Sequence, residues 1–576
     1  LAPQKAKALR EWAKQVQKKP TPAQLKELTA LTDRIDYLWG LAERRMVVAE
    51  EQSRRSLEVW GADPAPGGEV TRSEIEESLN TPGSAYQRLR LVMDAWCALW
   101  FWPVGQDDVD DDTPAPPSSD EWLAAIRDLV GSTMKTAKAA DQSSMELGQL
   151  EWGDLDARES WFGTEGALPV ERVLEQHPWL RTVRAIDKEQ RFFHWELDFA
   201  AVFARGGFDF QVGNPPWVRP TTDSAALLGE NDPWWPLMEK PSETTKTARR
   251  ASTLELPGAA ETLLLGTRDT VALAELIGAN GEFPQLAGTQ PDLYRAFMVQ
   301  TWRHASPRGR TALIHPPTHL TDARAYPLRR ATYRHLRRHW NLLNELQLFT
   351  EVHHLVSYSV NVYGPEQEPD FLQAVSMYHP ATAIGSLAHN GDGPEPGFKN
   401  EDGKWDQRPH ARRIAHVDRD ELALWHALME GGNPDVPIEE TRMVSTVNRS
   451  AASVLGKLAS QPSIGRLQPQ FSSGWHETSA HRDGYFEQAW GPAQSWEDVI
   501  LQGPYFHVGN PFYNSRNSTM RGNQDYSSVD LELLGPDAFD ADALSLAADV
   551  VGTARRWWEA ASAADREFFA AYARGI

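Results

Sequence analysis

Cysteine is nearly absent from this chain, and so is any long apolar run. Cys97 is the single cysteine among 576 residues, which excludes an internal disulfide and makes a zinc site built on cysteine ligands implausible. No run of about 18 apolar residues exists, and the N-terminal residues are polar and amphipathic, so we expect neither a membrane span nor a signal peptide. A reducing cytoplasm is the location that this composition favours.

Positive charge is also scarce. The chain has 58 Lys and Arg residues against 80 Asp and Glu residues, for a formal net charge of −22. This is the wrong overall sign for a nucleic-acid binder, but net charge is a global quantity, and a local basic groove can still hold DNA. The 17 histidines are scattered along the sequence. His353 and His354 are sequence neighbours that a strand would point to opposite faces, so we expect no metal site.

The sequence divides into four regions by composition. Residues 1–105 have helical periodicity, and residues 106–119 form an acidic, proline-rich linker. Residues 120–385 alternate helical patterns with strand-like runs, which predicts an α/β core. Residues 386–576 combine short segments rich in Gly, Asn, Ser and aromatics with a C-terminal helical pattern, which predicts a mixed α+β domain. Leu28, Leu31, Ile35, Leu38 and Leu41 form one predicted apolar helix face.

Strand-like runs in the predicted core are FDFQV, TALIH, LLNELQLF and VSYSVNVYG. A basic helix, ARAYPLRRATYRHLRRHW, precedes the third of them. Between the first and second runs the sequence reads as an insertion rich in turns. The first residue is Leu rather than Met, which suggests a processed chain or a piece of a longer one.

The sequence VGNPPWVRP, Val212 to Pro220, directly follows FDFQV. Two prolines cannot donate ladder hydrogen bonds, so the strand must end there. Ligands of open α/β sheets bind outside the carboxyl ends of the strands. At such an end Asn214 and the carbonyls of Pro215 and Pro216 could accept hydrogen bonds from an amino group, while Trp217 could stack on a planar base. The alternative interpretation is a strand-ending turn with a packed tryptophan.

This stretch resembles the [D/N/S]-P-P-[Y/F/W] motif of amino-methyltransferases, in the NPPW form of DNA N6-adenine methylases. Its surroundings, FHWELDFAAVFARGGFDFQVGNPPW, resemble the long methylases of type IIG restriction–modification, BREX and DISARM phage-defence systems. The resemblance implies a class I (Rossmann-like) methyltransferase sheet, S-adenosyl-L-methionine as cofactor, a target-recognition domain within 386–576, and Asn214, Pro215, Pro216 and Trp217 as catalytic residues. The target adenine would be flipped out of the duplex to reach them.

The resemblance also implies a glycine-rich cofactor loop of the form DPACGSG, and this sequence has no strand–GxG–helix unit that could be one. Either the loop is on a separate segment or polypeptide, which would complete the fold with the helical N-terminus as the seam, or the site is degenerate. Other defence-system subunits are further expected partners.

Double-stranded DNA is the expected substrate, and its contacts are predicted in two places. The cluster of arginines from Arg324 to Arg338 could face DNA or be a solvated basic face, and Arg219 could reach a phosphate beside the flipped base. Asn and Arg side chains make bidentate contacts with base edges. The predicted DNA-binding residues are Arg219, Arg329, Arg330, Arg334, Trp475, Asn514 and Arg516.

The leading hypothesis is therefore an S-adenosylmethionine-dependent, adenine-specific DNA methyltransferase of a restriction or phage-defence system. A DNA-binding scaffold without cofactor binding is the alternative that the missing glycine loop supports. Methylation of a protein glutamine is a second alternative, but enzymes of that kind are shorter than this chain.

Overall fold

The computed structural model describes most of the N-terminal four-fifths of the chain and short parts of the remainder. The described residues are 1–52, 60–61, 71–104, 115–131, 147, 150–160, 166–459, 461, 477–485, 513–515 and 526–528. The chain divides into two compact units, Leu1–Ser463 and Ile464–Ile576. Within the described ranges, no helix is both long and apolar enough to cross a bilayer.

The helices are numbered in chain order. In the first unit they are α1 (Pro3–Val16), α2 (Pro22–Gln52), α3 (Arg72–Asn80), α4 (Ala85–Ala98), α5 (Ser119–Val130), α6 (Trp152–Ser160), α7 (Val170–Gln176), α8 (Trp179–Gln190), α9 (Trp195–Asp198), α10 (Ala200–Phe203), α11 (Ser224–Gly229), α12 (Trp234–Leu237), α13 (Glu243–Leu254), α14 (Ala259–Gly278), α15 (Leu293–His304), α16 (Tyr326–His335), α17 (Pro380–Ala388), α18 (Arg419–Met429) and α19 (Arg449–Ala459). Helix α20 (Glu477–Arg482) lies in the second unit.

The strands of the first unit form one sheet. They are β1 (Phe208–Gly213), β2 (Ala305–His315), β3 (Leu336–Leu343), β4 (Ser357–Tyr363), β5 (Phe371–Met377) and β6 (Ala415–Val417). In the second unit, β7 (Tyr513–Ser515) pairs antiparallel with β8 (Tyr526–Ser528). The fold class predicted from the sequence, α/β with a helical N-terminal region, is confirmed.

The N-terminal helices have a core of their own. Leu31, Leu38 and Leu41 of α2 are buried in it, and Leu28 and Ile35 pack against it, as the predicted apolar face requires. This helical region contacts the segment that leads into β1: the indole N–H of Trp39 donates to the backbone carbonyl of Glu196 at 2.8 Å. This contact joins α2 to the segment that leads into β1.

The sheet has the order β1-β2-β4-β3-β5-β6. Strands β1 and β2 are parallel, as are β3 and β5, while β4 is antiparallel to both of its neighbours. Strands β1, β2, β3 and β5 therefore all point the same way, and their carboxyl ends lie at one edge of the sheet. Buried apolar residues cluster on the sheet in two groups, and Trp217 packs against both.

Gly207 explains how β1 comes to lie so close to the strand beside it. Its φ is +109°, and a Cβ at this position would lie 2.4 Å from the backbone oxygen of His304. Only glycine tolerates both the left-handed backbone and this close approach. The Gly206–Gly207 turn therefore sets where β1 begins alongside β2.

Three sequence expectations differ from the structure. The predicted turn-rich insertion is largely helical, with α14 spanning Ala259–Gly278. The basic helix ends at His335, and the strand begins at Leu336, six residues before the predicted strand run. The predicted domain boundary at residue 386 falls inside the sheet domain, because β6 at Ala415–Val417 pairs with β5. In the second and third cases, pairing with a neighbouring strand determines the outcome.

Candidate active site

The NPPW sequence begins immediately after β1, at its carboxyl end. Gly213, the last residue of the strand, is paired with Leu313 of β2, and Asn214 is the next residue. Pro215 is buried, whereas Asn214 and Pro216 are exposed. The motif therefore lies at the edge of the sheet where the parallel strands end, which is where α/β sheets bind ligands.

Asn214 is free to bind a ligand. Its side chain is exposed and makes no hydrogen bond with any described residue. The side-chain carbonyl of an asparagine is an acceptor with two lone pairs, and its NH₂ group is a double donor. An exposed amide on a proline-fixed backbone can therefore accept a hydrogen bond from an amino group without first breaking a bond to another described residue.

Trp217, by contrast, is tied into the protein. Its indole N–H donates to the backbone carbonyl of Ile314 on β2 at 3.1 Å. Its ring stacks on Tyr358 at 6.2 Å between centroids, with 23° between the planes, and tilts against Phe349 at 5.4 Å. The ring is half-buried, so part of its surface is open. The alternative of a packed tryptophan is thus realised in part, while the stacking role stays a prediction.

Phe349 is a residue that the sequence analysis did not single out. It lies in the loop after β3, and a buried asparagine holds that loop in place. Asn344 is 1% exposed, and its side-chain amide donates to the carbonyls of Phe349 and Val352 at 2.8 and 2.7 Å. Its side-chain oxygen accepts from the Phe349 amide at 3.1 Å. In the sequence, the signal for this residue is a phenylalanine that follows a strand whose carboxyl end lies at the same edge of the sheet as NPPW.

A buried polar network supports the end of β2 directly behind the motif. His315, the last residue of β2, is fully buried; its Nε2 lies 2.8 Å from the Tyr363 hydroxyl and 3.0 Å from the Asn361 amide nitrogen. Its Nδ1 lies 2.9 Å from the carbonyl of Pro316, so the neutral Nδ1–H tautomer satisfies every contact. Burial lowers the pKa of His315 to about 3.

The network extends to a second histidine on β3. His339 Nδ1 donates to the side-chain oxygen of Asn361 at 2.7 Å, and burial lowers the pKa of this imidazole to about 4. Both histidines are therefore neutral at pH 7. They act as structural donors and acceptors between β2, β3 and β4, not as general acids or bases.

Arg219 follows the motif and already has a partner. Its Nε lies 3.0 Å from Asp292 Oδ1, and its side chain is 43% exposed. Next to this pair, the amide of Leu293 at the start of α15 donates to the carbonyl of Val218 at 2.9 Å. The segment after the motif is thus attached to α15, and a contact between Arg219 and a phosphate would compete with Asp292.

The predicted arginine cluster does not form a single DNA-facing surface. Arg329 is 2% exposed, and its guanidinium donates to the backbone carbonyls of His319, Asp322 and Glu440. A phosphate contact would require these bonds to be broken in a buried environment. The burial of Arg329 thus argues against its predicted role.

Arg334 and Arg330 pair with acidic residues. The Arg334 guanidinium contacts both carboxylate oxygens of Glu439 at 2.7 and 3.1 Å, and this contact raises the Arg334 pKa. Arg330 is half-exposed and lies 3.7 Å from Glu439 and from Glu440. Arg334 also lies just before the start of β3, at the edge of the sheet opposite Asn214. These placements likewise argue against the predicted phosphate contacts.

Arg324 is the member of that cluster that follows the carboxyl end of β2 in the chain. It is exposed, its guanidinium has no hydrogen-bond partner among the described residues, and it lies between the carboxyl end of β2 and the start of α16. Trp475 and Arg516 lie outside the described residues. Asn514 lies in β7, where it is paired with Ser527, and its side chain is also outside the description.

No strand followed by a glycine-rich loop precedes β1 among the described residues. No strand precedes β1 in the described part of the chain, and the elements before it are helices. Of the glycine-containing segments, LLLGTRDT lies within α14 and not in a loop after a strand. A cofactor loop of the expected form is thus not found before β1 among the described residues, and its position stays a prediction.

Comparison with known proteins gives one family match. A model of the Eco57I restriction-modification methylase family matches residues 156–244, a range that contains β1 and NPPW. No curated protein matches the sequence.

Solved structures with similarity include three type I methylase subunits. A modification subunit of a putative type I restriction enzyme from Vibrio vulnificus YJ016 is 11% identical, with 71% of this chain and 95% of that chain covered and a TM-score of 0.17. The methyltransferase subunit from Streptococcus thermophilus is 12% identical (65% and 87% covered, TM-score 0.16). The EcoKI M protein is 11% identical (84% and 99% covered, TM-score 0.19).

The backbone similarity at these TM-scores is low. Residues 156–244, which place Asn214 at the carboxyl end of β1, are similar to a restriction-modification methylase.

Proposed function

We propose that this chain is the catalytic and DNA-recognition part of an S-adenosylmethionine-dependent DNA adenine-N6 methyltransferase of a restriction or phage-defence system. The observation that carries the proposal is the exposed, unpartnered amide of Asn214 at the carboxyl end of β1, inside the segment that matches the methylase family. The aromatic residues beside it and the unpaired Arg324 support the same function.

The reaction requires the protein mainly to position the exocyclic amine of adenine. The exocyclic amine of adenine has two hydrogens, which Asn214 and the backbone carbonyl of Pro215 can accept. Held in this way, the nitrogen can present its lone pair to a methyl group, and the proton that it loses passes to solvent. S-adenosylmethionine would supply the electrophilic methyl group, whose bond to sulfur breaks as the bond to nitrogen forms, with S-adenosylhomocysteine as the leaving group.

A planar base needs flat surfaces around it. Trp217 and Phe349 bring two rings together at 5.4 Å beside the motif, and Asn344 fixes the loop that carries Phe349. Stacking of a base on an aromatic side chain is worth about 1–3 kcal/mol, which offsets part of the cost of unstacking an adenine from the duplex. The half-exposed Trp217 ring is the surface that we assign to this role.

DNA contacts are proposed at the same edge of the sheet. Arg324 offers an unpaired guanidinium to a phosphate, and Arg219 can exchange its partner Asp292 for one. Trp475, Asn514 and Arg516 stay proposals for base recognition. The cofactor loop is proposed to come from a separate segment or polypeptide.

The nature of the methylated product tests the proposal. The tagged full chain, purified with its associated proteins from its native host, is incubated with tritiated S-adenosylmethionine and unmethylated DNA, and the DNA is digested to nucleosides. Label in N6-methyladenine is the expected result. Label in protein but not in DNA would favour glutamine methylation instead.

A DNA-binding scaffold is the second candidate, because the described residues contain no cofactor loop. It predicts DNA binding without any label in either product, even when the associated proteins are present.

A further inference from the structure

Helix α8 carries a row of positive charges. Arg181, Arg184, Lys188 and Arg191 recur at steps of three, four and three residues, which places them along one side of the helix. All four side chains are exposed, and none has a hydrogen-bond or ion-pair partner among the described residues. We call these four residues the basic face of α8. In a chain with a formal net charge of −22, such a concentration of unpaired cations is unusual.

The acidic residues of α8 have partners on other elements. Asp187 lies 3.7 Å from Arg90 of α4, and it accepts a hydrogen bond from the amide of Phe192 at 3.2 Å. Glu189 lies 3.0 Å from Arg268 of α14. Because both carboxylates are held by other residues, neither forms an ion pair with the basic face.

The other side of α8 packs into the protein. Trp179, Leu180, Val183 and Ile186 are buried in the core of the N-terminal helices. The backbone that carries the basic face is therefore ordered before any ligand binds, and binding costs no further backbone entropy.

Arg191 has a backbone conformation that favours glycine. It follows the last residue of α8 with a φ of +55° and a ψ of +59°, in the left-handed region. Helices that end in this way usually have glycine or asparagine there, since a larger side chain strains the backbone. The attraction of a cation to the carboxyl end of the helix offsets part of the strain. Strain of this kind persists at functional positions.

We infer that the basic face of α8 binds the phosphate backbone of duplex DNA beside the base pair that contains the target adenine. From Arg181 to Arg191 the face extends about 15 Å at 1.5 Å per residue. Each strand of a duplex has one phosphate for every 3.4 Å or so of helix axis, so a face of this length can contact several phosphates. The inference rests on the proposed function for the choice of DNA as the polyanion, and it adds a second contact surface to it.

The basic face lies toward the amino end of β1, whereas Asn214 follows its carboxyl end. Trp195, soon after Arg191 in the chain, lies 5.8 Å from the ring of Phe208, the first residue of β1. A strand of this length rises about 20 Å. That is about six base pairs of duplex, so the phosphates bound by α8 belong to the DNA that flanks the target.

Binding of a labelled DNA duplex of random sequence tests the inference, because phosphate contacts do not depend on sequence. The full chain is purified with its associated polypeptides, and affinity is measured by fluorescence anisotropy at several salt concentrations. The double variant Arg184→Gln/Lys188→Gln should lower the affinity by about tenfold or more and the slope of log affinity against log salt concentration by about 1.8, the value for two phosphate contacts.

The double variant Lys18→Gln/Lys19→Gln is the matched control. It makes the same change of charge at two exposed lysines that follow α1, and it should leave the affinity near that of wild type. Arg184→Lys keeps the charge and should also bind like wild type. Equal losses in the two double variants would show a general effect of net charge and would overturn the inference.

Arg191→Gly separates binding from folding, because the two readouts should change in different ways. Glycine relieves the left-handed strain, so the urea-unfolding midpoint should not fall. The affinity for the duplex should nevertheless fall several-fold. An unchanged affinity, at any midpoint, would make Arg191 a helix-ending residue only and would contradict the inference.

An acidic protein surface is the alternative partner, either the linker 106–119 of this chain or an associated polypeptide. In the first case Arg184→Gln/Lys188→Gln would lower the unfolding midpoint, and in the second it would lower the yield of that polypeptide, with DNA affinity unchanged in both. Either result overturns the inference. Methyl transfer is not needed for the measurement, so loss of DNA affinity in a protein that makes no N6-methyladenine would leave the basic face standing and overturn the methyltransferase.

Discussion

Trp217 donates its indole N–H to the backbone carbonyl of Ile314, 3.1 Å away on the neighbouring strand. This bond joins the residue after the two prolines to the carboxyl end of β2. It explains why the motif ends in a tryptophan: the ring fixes the turn to the sheet and still keeps part of its surface open. The same side chain thus makes a structural contact and leaves open the surface that we propose for a base.

Substitutions at Trp217 should separate these two contributions. Trp217→Phe keeps an aromatic face but leaves the Ile314 carbonyl without its donor, which should lower the free energy of unfolding by about 1–3 kcal/mol. Methyl transfer should be largely preserved. Trp217→Ala also loses the contacts with Tyr358 and Phe349, so its unfolding free energy should fall further, as measured by urea titration.

Base flipping provides the second readout for this pair of variants. A DNA duplex with 2-aminopurine at the target position becomes more fluorescent when the base leaves the stack. The signal should fall for Trp217→Ala and persist for Trp217→Phe, at temperatures where both are folded. Equal fluorescence and equal rates for wild type and Trp217→Ala would make Trp217 a core residue only.

The effect of replacing an arginine on DNA binding should depend on the edge of the sheet at which that arginine lies. Arg324→Ala should weaken DNA binding equally for all sequences and reduce the slope of log affinity against log salt concentration by about 0.9, the value for one phosphate contact. Arg334→Ala is the matched control, since Glu439 already neutralises Arg334 at the opposite edge. A larger loss of affinity in Arg334→Ala than in Arg324→Ala would contradict this assignment.

The buried histidines should make stability depend on pH. His315 and His339 have pKa values lowered by burial to about 3 and about 4, below the ordinary 6.5. The unfolded chain therefore binds more protons than the folded one between these values. Stability from these groups is complete above pH 6.5 and is lost as the pH falls, by roughly 1.4 kcal/mol for each histidine per pH unit.

Urea unfolding between pH 7.5 and pH 5 measures this slope. His339→Gln, which removes one titrating group, should make the slope shallower by about one proton. A slope that does not respond to His339→Gln would show that other groups cause the pH dependence.

Cofactor binding by the isolated chain should be weak. The described residues contain no strand before β1 and no glycine loop, so calorimetry with S-adenosylmethionine should show little or no heat of binding. The protein purified with its associated polypeptides should bind the cofactor. Micromolar affinity of the isolated chain would show that this sequence contains a cofactor site of another form.

The sequence predicts those features of the structure that nearby residues determine, such as the end of a strand and the buried face of a helix. Proline cannot continue a ladder, so the end of β1 at Gly213 could be placed from the sequence. The spacing of Leu31, Leu38 and Leu41 predicted a buried helix face, and these residues are buried. In each case the determining chemistry lies within a few residues of the feature.

Features determined by distant contacts could not be predicted in the same way. Arg329 looks like a surface arginine in a basic helix, yet the carbonyl of Glu440, more than a hundred residues later, helps to bury it. Phe349 lies beside Trp217 because Asn344 holds the loop that carries Phe349. The sequence pattern predicts a strand at LLNELQLF, but β3 begins earlier in the chain. Pairing with β4 and β5, rather than strand propensity, determines where β3 begins.

The most direct test of the central claim is genomic N6-methyladenine in a native-host strain that carries Asn214→Ala. Removal of one preorganised hydrogen-bonding group should lower methyl transfer by about 10²–10³-fold, so long-read sequencing should find the target sites unmethylated. Asn214→Asp, which keeps an acceptor oxygen, should retain part of the methylation, and Arg334→Ala should retain all of it. Wild-type methylation in the Asn214→Ala strain, with the protein present at its normal level, would contradict the account.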